Sequence, residues 1–178
     1  TKSSDAKDDS HLSSSIDFIF NSHFVLSSAE IPFNFIYAPK NACSTIKNTL
    51  LPQAELSSSI HTDVNLCLNA EINPYKDFII LTRHPIHRFL SAYMDKLNRT
   101  KGKESGVWKR MVRRYNLQWN QQPSIDALLD ILLTDDPNLI DPHFRPQTLV
   151  FSNKLVKPAR IFRMERLSEL LAYLSSSG

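Results

Sequence analysis

The chain has 178 residues, 42% hydrophobic and 22% charged, with a formal net charge of +3. That length suits one domain with a real core, and that balance excludes a wholly disordered chain. The mild positive charge is compatible with anionic ligands but too weak to argue for nucleic acid, and no run of about 18 apolar residues reads as a membrane span. Only 3 glycines are present, so loops are not built from glycine. Two cysteines, Cys43 and Cys67, make no disulfide framework, which favours a reducing compartment. No secretory signal is visible.

Thr1 to Ser15 is rich in Ser, Asp and Lys and reads as a flexible leader, with a single α/β domain expected over residues 16–178. Ile16 to Leu26 is apolar and aromatic and is expected to pack at the domain edge, with His23 structural. Phe33 to Tyr37 reads as a short buried strand ending before Pro39. A turn of Lys40, Asn41, Ala42, Cys43, Ser44 and Thr45 follows. A helix then carries Ile46 and Leu50 on one face and stops at Pro52. Strand, tight turn and helix present backbone N–H groups and a positive helix end to an anion, and Lys40 adds a full charge. Ser44 and Thr45 can cap the helix or bind phosphate oxygens. This is no Walker A loop: the glycines are missing and the lysine precedes the turn. A strand–turn–helix with an exposed lysine explains the stretch equally well.

Ser57 to Asn73 reads as a loop leading into a short helix, with His61 in its polar part. Asp77 to Thr82, DFIILT, is the clearest strand; its continuous apolar run indicates burial on both faces, as in a parallel sheet. It ends at Arg83. Pro85 then opens a helix running to about Leu97, with Ile86, Phe89, Leu90, Tyr93 and Leu97 expected inward and His84, Arg88, Ser91 and Asp95 on the other face. Arg83 and Ser91 can converge on one anion, whereas a solvated face accounts for Arg88 and Asp95.

Asn98 to Trp119 is basic and aromatic. Val107 and Met111 follow helical spacing, while Lys109, Arg110 and Arg113 form a positive outer face, either solvated or open to an acidic acceptor. Ser124 caps a helix with Ile125, Leu128, Leu129 and Leu132 inward, broken by Pro137 and Pro142. The prolines fix the loop that follows, which carries His143 and Arg145. Two bland roles compete there: Arg145 closing the loop onto carbonyls and His143 stacking on an aromatic ring. Thr148 to Phe151 and Arg160 to Arg163 read as late strands, and Glu165 to Leu174 as a final amphipathic helix.

Three segments together are similar to a known family: IYAPKNACSTIKNTL, FIILTRHPIHRFLSAYMDKL, and HFRPQT followed by RIFRMERLSEL. In order and spacing the chain resembles the Golgi-type carbohydrate sulfotransferases (sulfotransferase family 2, the group with the HNK-1 and chondroitin/dermatan 4-O-sulfotransferases) and, more loosely, their bacterial relatives. The resemblance implies a P-loop-kinase-like three-layer α/β fold with a short central parallel sheet flanked by helices. It implies the donor PAPS, 3′-phosphoadenosine 5′-phosphosulfate, leaving PAP as product, and a carbohydrate or other hydroxyl-bearing acceptor. By position, Lys40, Asn41, Ala42, Cys43, Ser44 and Thr45 would surround the 5′-phosphosulfate, and Arg83 and Ser91 would hold the 3′-phosphate. Arg145 and the Arg163–Glu165 region would line or support the donor site. The implied location is the cytoplasm for a bacterial protein or the Golgi lumen, the membrane anchor then lying outside this sequence. Two positions depart from the pattern: Ile46 stands where many relatives have tryptophan, and His84 where they have aspartate.

The chemistry agrees with such a donor. Sulfonate transfer resembles phosphoryl transfer, with in-line attack and little covalent work for the protein. Lys40 and the loop N–H groups suit the charge that builds on the departing nucleotide, and one such donor is worth roughly 3 kcal/mol. The transferred group carries less charge than a phosphoryl, so no metal is required. The acceptor hydroxyl needs a base, for which His61 is the first choice and His143 the second. A P-loop-type kinase would need the glycine-rich loop and Mg²⁺-binding acids. A non-catalytic module for anionic glycans would use the basic Lys101 to Arg114 stretch.

Overall fold

The structure, a computed structural model, describes residues 25–27, 31–50, 75–97, 105–151 and 157–176. The expected leader, the Ser57 to Asn73 element with His61 and Cys67, and His23 lie outside the described residues. The chain divides into two compact units. One comprises the residues up to Thr82 and those from Val150 onward; the other is Arg83–Leu149.

The first unit is built on a four-stranded sheet, in the order β1 (Val25–Leu26), β2 (Phe33–Tyr37), β3 (Asp77–Thr82), β4 (Arg160–Arg163). β1 runs antiparallel to β2, and the other two pairings are parallel. The apolar runs of β2 and β3 have the cause read from the sequence: both faces are covered. Side chains alternate across the sheet. Phe33, Phe35, Tyr37, Ile79 and Leu81 pack on one face with Ile46 of helix α1 (Cys43–Leu50) and Leu170 near the C-terminus. Ile36, Phe78 and Ile80 pack on the other with Val25 and Phe151. The final helix, expected from Glu165, starts two residues later as α6 (Leu167–Ser176), after a single 3₁₀ turn, Met164–Arg166.

The second unit holds helices α2 (Pro85–Lys96), α3 (Gly106–Tyr115) and α4 (Ile125–Thr134) around a core of Ala92, Tyr93, Trp108, Met111, Leu128 and Phe144. Pro85 takes the first helical position of α2, as its fixed φ favours. Ser105 and Ser124 cap α3 and α4 by accepting from the N–H groups of Trp108 and Ala127.

Three sequence expectations fail here. Along α2 and its C-cap, Phe89, Tyr93 and Leu97 pack inward as expected, but Ile86 and Leu90 are exposed and Arg88 and Ala92 are buried in their stead. Arg88 can be inside because two carbonyls take its guanidinium, Pro142 O at 2.8 Å and Arg145 O at 2.7 Å. In α4 only Leu128 is fully buried; Ile125 and Leu129 are exposed. Thr148 to Phe151 is not a strand but part of a short helix, α5 (Gln147–Phe151), which starts directly after Pro146. A four-residue apolar run carries no period that separates strand from helix.

Candidate active site

In the first unit, the pairing of Tyr37 with Leu81 brings the C-terminal ends of β2 and β3 to the same edge of the sheet. Ligands of parallel α/β sheets bind at that edge. The chain leaves β2 there and turns at once. Lys40 and Ala42 both adopt positive φ, 73° and 54°. With no glycine available, each costs about 1 kcal/mol. The turn is held by Asn41. Its backbone N–H donates to Ala38 O at 3.1 Å, and its fully buried side chain donates to Leu81 O at 2.8 Å. Asn41 therefore ties the loop to the end of β3. The first helical bond of α1 runs from Ile46 N to Ala42 O, so Cys43, Ser44 and Thr45 form the first turn of the helix. Helix begins at Cys43, earlier than the six-residue turn read from the sequence.

Lys47, which sequence reading passed over, lies one turn beyond Cys43. It is 1% exposed, with its ammonium 5.2 Å from the centre of the Tyr37 ring. Burial lowers its pKa, partly offset by Cys43 nearby. Burial likewise raises the Tyr37 hydroxyl. A lysine one residue past the helix's apolar position carries no sequence signal of burial.

In the second unit, Arg83 is held through its backbone. Gln147 Oε1 accepts from Arg83 N at 3.1 Å, and Gln147 Nε2 donates to Arg83 O at 2.5 Å. A side-chain amide here satisfies both peptide groups of Arg83, as a neighbouring strand would. Gln147 was not singled out by sequence reading. It lies in HFRPQT, so that segment positions the arginine of another. Burial, and then the positive charge of Arg83, pull Arg88 down to about 10. Ser91 is half-buried in the second turn of α2, and His84 is exposed, its ring 4.9 Å from that of His87.

Arg145 donates to Ile140 O at 3.2 Å and to Asn138 O at 2.6 Å, so it closes the loop that carries it. His143 does not simply stack. Its Nδ1 is 2.8 Å from Asp141 Oδ1, and its backbone N–H donates to the same oxygen at 3.0 Å. Asp141 Oδ2 accepts from Arg110 Nε and Nη2 at 2.9 and 2.6 Å. Burial opposes ionisation of Asp141, but the bonds from His143 and Arg110 outweigh it and lower the pKa to about 2. Arg110 and Asp141 also line a cavity of about 560 Å³, together with Arg113, Arg114, Tyr115 and Arg145; His143 is not among its lining residues. Arg114 pairs with Asp135. Among the described residues, no group of three His, Cys, Asp or Glu is arranged to hold a metal.

The model of the family described as "Sulfotransferase family" matches residues 21–177. The chain belongs to the sulfotransferase family. The match takes in the Lys40 turn, Arg83 and the His143 loop. The human and mouse proteins named carbohydrate sulfotransferase 14 are each 27% identical to this family member over 144 residues, covering 68% of this chain and 38% of the relative. The chain thus spans well under half the length of those relatives. No solved structure matches it significantly.

Proposed function

We propose that this chain carries the donor site and the catalytic base of a PAPS-dependent sulfotransferase that moves a sulfonate group to a carbohydrate hydroxyl. The observation that carries this reading is the family match over residues 21–177, with a lysine-bearing turn at the end of a buried parallel strand inside it. Lys40 and the N–H groups of Ala42, Cys43, Ser44 and Thr45 bind the 5′-phosphosulfate. Asn41 holds that turn in shape from behind. Arg83, fixed by Gln147, and Ser91 bind the 3′-phosphate, and Arg145 supports the loop beside them. Bound there, PAPS supplies an activated sulfonate. Lys40 and the loop N–H groups neutralise the charge left on the departing phosphate. Two histidines compete as the base for the acceptor hydroxyl, His61, which lies outside the described residues, and His143, which the contact with Asp141 favours. The arginine-lined cavity favours an acceptor that carries negative charge. The reaction belongs to the cytoplasm in a bacterial source and to the Golgi lumen in a eukaryotic one.

Thermal unfolding with PAP, with ATP–Mg²⁺ and with heparin tests the reading. A ligand that binds only the folded chain stabilises it by RT ln(1 + [L]/Kd), about 2.7 kcal/mol at 100 Kd. PAP is expected to raise Tm, and Lys40→Ala and Arg83→Ala to abolish that rise. A rise with ATP–Mg²⁺ alone would point to a kinase, and one with heparin alone to a glycan-binding module.

A further inference from the structure

We propose that Arg110, Asp141 and His143 form one positioning chain, in which Arg110 fixes the Asp141 carboxylate and Asp141 fixes His143 with Nδ1–H toward itself and Nε2 presented as the proton acceptor. The inference rests on His143 being the base, and it adds two positioning residues from the loop and from helix α3 to that reading.

The geometry goes beyond what the loop needs for its own shape. Asp141 does organise the turn: its carbonyl accepts from Phe144 N and Arg145 N, and Oδ1 accepts from His143 N. A turn cap needs no more than that. Yet Oδ1 also takes the ring nitrogen of His143 at 2.8 Å, and Oδ2 is held by two nitrogens of Arg110. The carboxylate side chain is only 4% exposed and has four donors, two on each oxygen. An ionised carboxylate only accepts, and arginine only donates. Nδ1 must therefore carry the hydrogen, and in the neutral ring the lone pair is on Nε2.

The surrounding charges are mostly positive, with Arg114 paired to Asp135. Arg113, Arg114 and Arg145 line the cavity that Asp141 also lines. From α2, Arg88 donates to the carbonyls of Pro142 and Arg145, on either side of His143. The bonds from Arg110 and His143 keep Asp141 ionised, and Asp141 stabilises the imidazolium once His143 is protonated. In the step served, the acceptor oxygen bonds to sulfur while the sulfur–oxygen bond to the 5′-phosphate breaks. The electron pair of that bond stays on the phosphate, and the hydroxyl proton passes to His143 Nε2.

The test is ¹⁵N NMR of the labelled full chain at pH 8, with His143 assigned by comparison with His143→Gln. It is paired with rates measured with PAPS and chemically desulfated dermatan as acceptor probe. We expect the Nδ1–H tautomer in the wild type. Asp141→Asn is expected to lower kcat on the order of 10²-fold at unchanged KM for PAPS. Arg110→Gln is expected to lower it roughly 10-fold, with partial recovery in Arg110→Lys. An Nε2–H tautomer in the wild type overturns the inference, and the spectrum needs no acceptor. Wild-type kcat in Asp141→Asn, with His143→Gln inactive, overturns the inference alone. An active His143→Gln overturns the base assignment and the positioning chain with it. Should Asp141→Asn not fold, the wild-type tautomer and the Arg110 variants decide.

Discussion

Two loops carry the candidate chemistry, and they are held in opposite ways. The Lys40 turn in the first unit hangs from a sheet. Its shape comes from backbone geometry, two positive φ values and one asparagine bonded to the neighbouring strand. The loop from Asn138 to Gln147 in the second unit has no strand to lean on. It is held by side chains: Arg88 from α2, Arg110 from α3, and its own Arg145. A loop at a sheet edge inherits its position from the ladder. A loop among helices must satisfy its carbonyls with donors, and buried guanidinium groups, with up to five N–H each, do this most densely.

The largest effect expected of that difference is at Arg88. Replacing it with Ala leaves the carbonyls of Pro142 and Arg145 unsatisfied and opens a void, costing roughly 3 kcal/mol. Urea unfolding should show a lower midpoint at unchanged m. A loss under 1 kcal/mol would mean that the side-chain scaffold is not what holds this loop.

The next effect is pH-dependent. The folded pKa of Asp141 is about 2 against an ordinary 3.8. A depressed carboxylate pKa gives stability that is complete above about pH 4 and disappears as pH falls through 2. At about 1.36 kcal/mol per unit, the gain is at most about 2 kcal/mol, because Arg110 is largely exposed and its charge is screened. Stability measured from pH 2 to 6 should therefore fall more steeply at the acid end in the wild type than in Asp141→Asn. Parallel curves would remove Asp141 from the loop's energetics.

The smallest effect concerns the sheet-hung turn. Ala42→Gly relieves a left-handed residue and is expected to stabilise the chain by about 1 kcal/mol. A destabilised Ala42→Gly would show that the turn is not strained at that residue.

The parts of the fold that could be read in advance were those with a local cause. Phe33 to Tyr37 and DFIILT are strands because their apolar runs leave no solvent face. Pro85 and Ser124 mark helix starts by their own backbone or hydroxyl chemistry. Apart from Thr148 to Phe151, too short to show a period, what was misread depended on partners elsewhere in the chain. Arg88 reads as solvated until the carbonyls of Pro142 and Arg145 are known, and the burial of Lys47 beside the Tyr37 ring has no sequence signal. The candidate site divides along the same line. Lys40, Arg83 and His143 stand out in the sequence as a charge or a base beside an element, whereas the contacts of Gln147 with Arg83 and of Asp141 with His143 and Arg110 appear only in the fold.

By itself the sequence determined the α/β class, the strand-turn-helix around Lys40 and the family, because these follow from periodicity, chain breakers and short motifs within a few residues. Tertiary structure alone decided which charged side chains are buried and which residue orients which. Those outcomes depend on where donors 31 to 64 residues away along the chain come to rest.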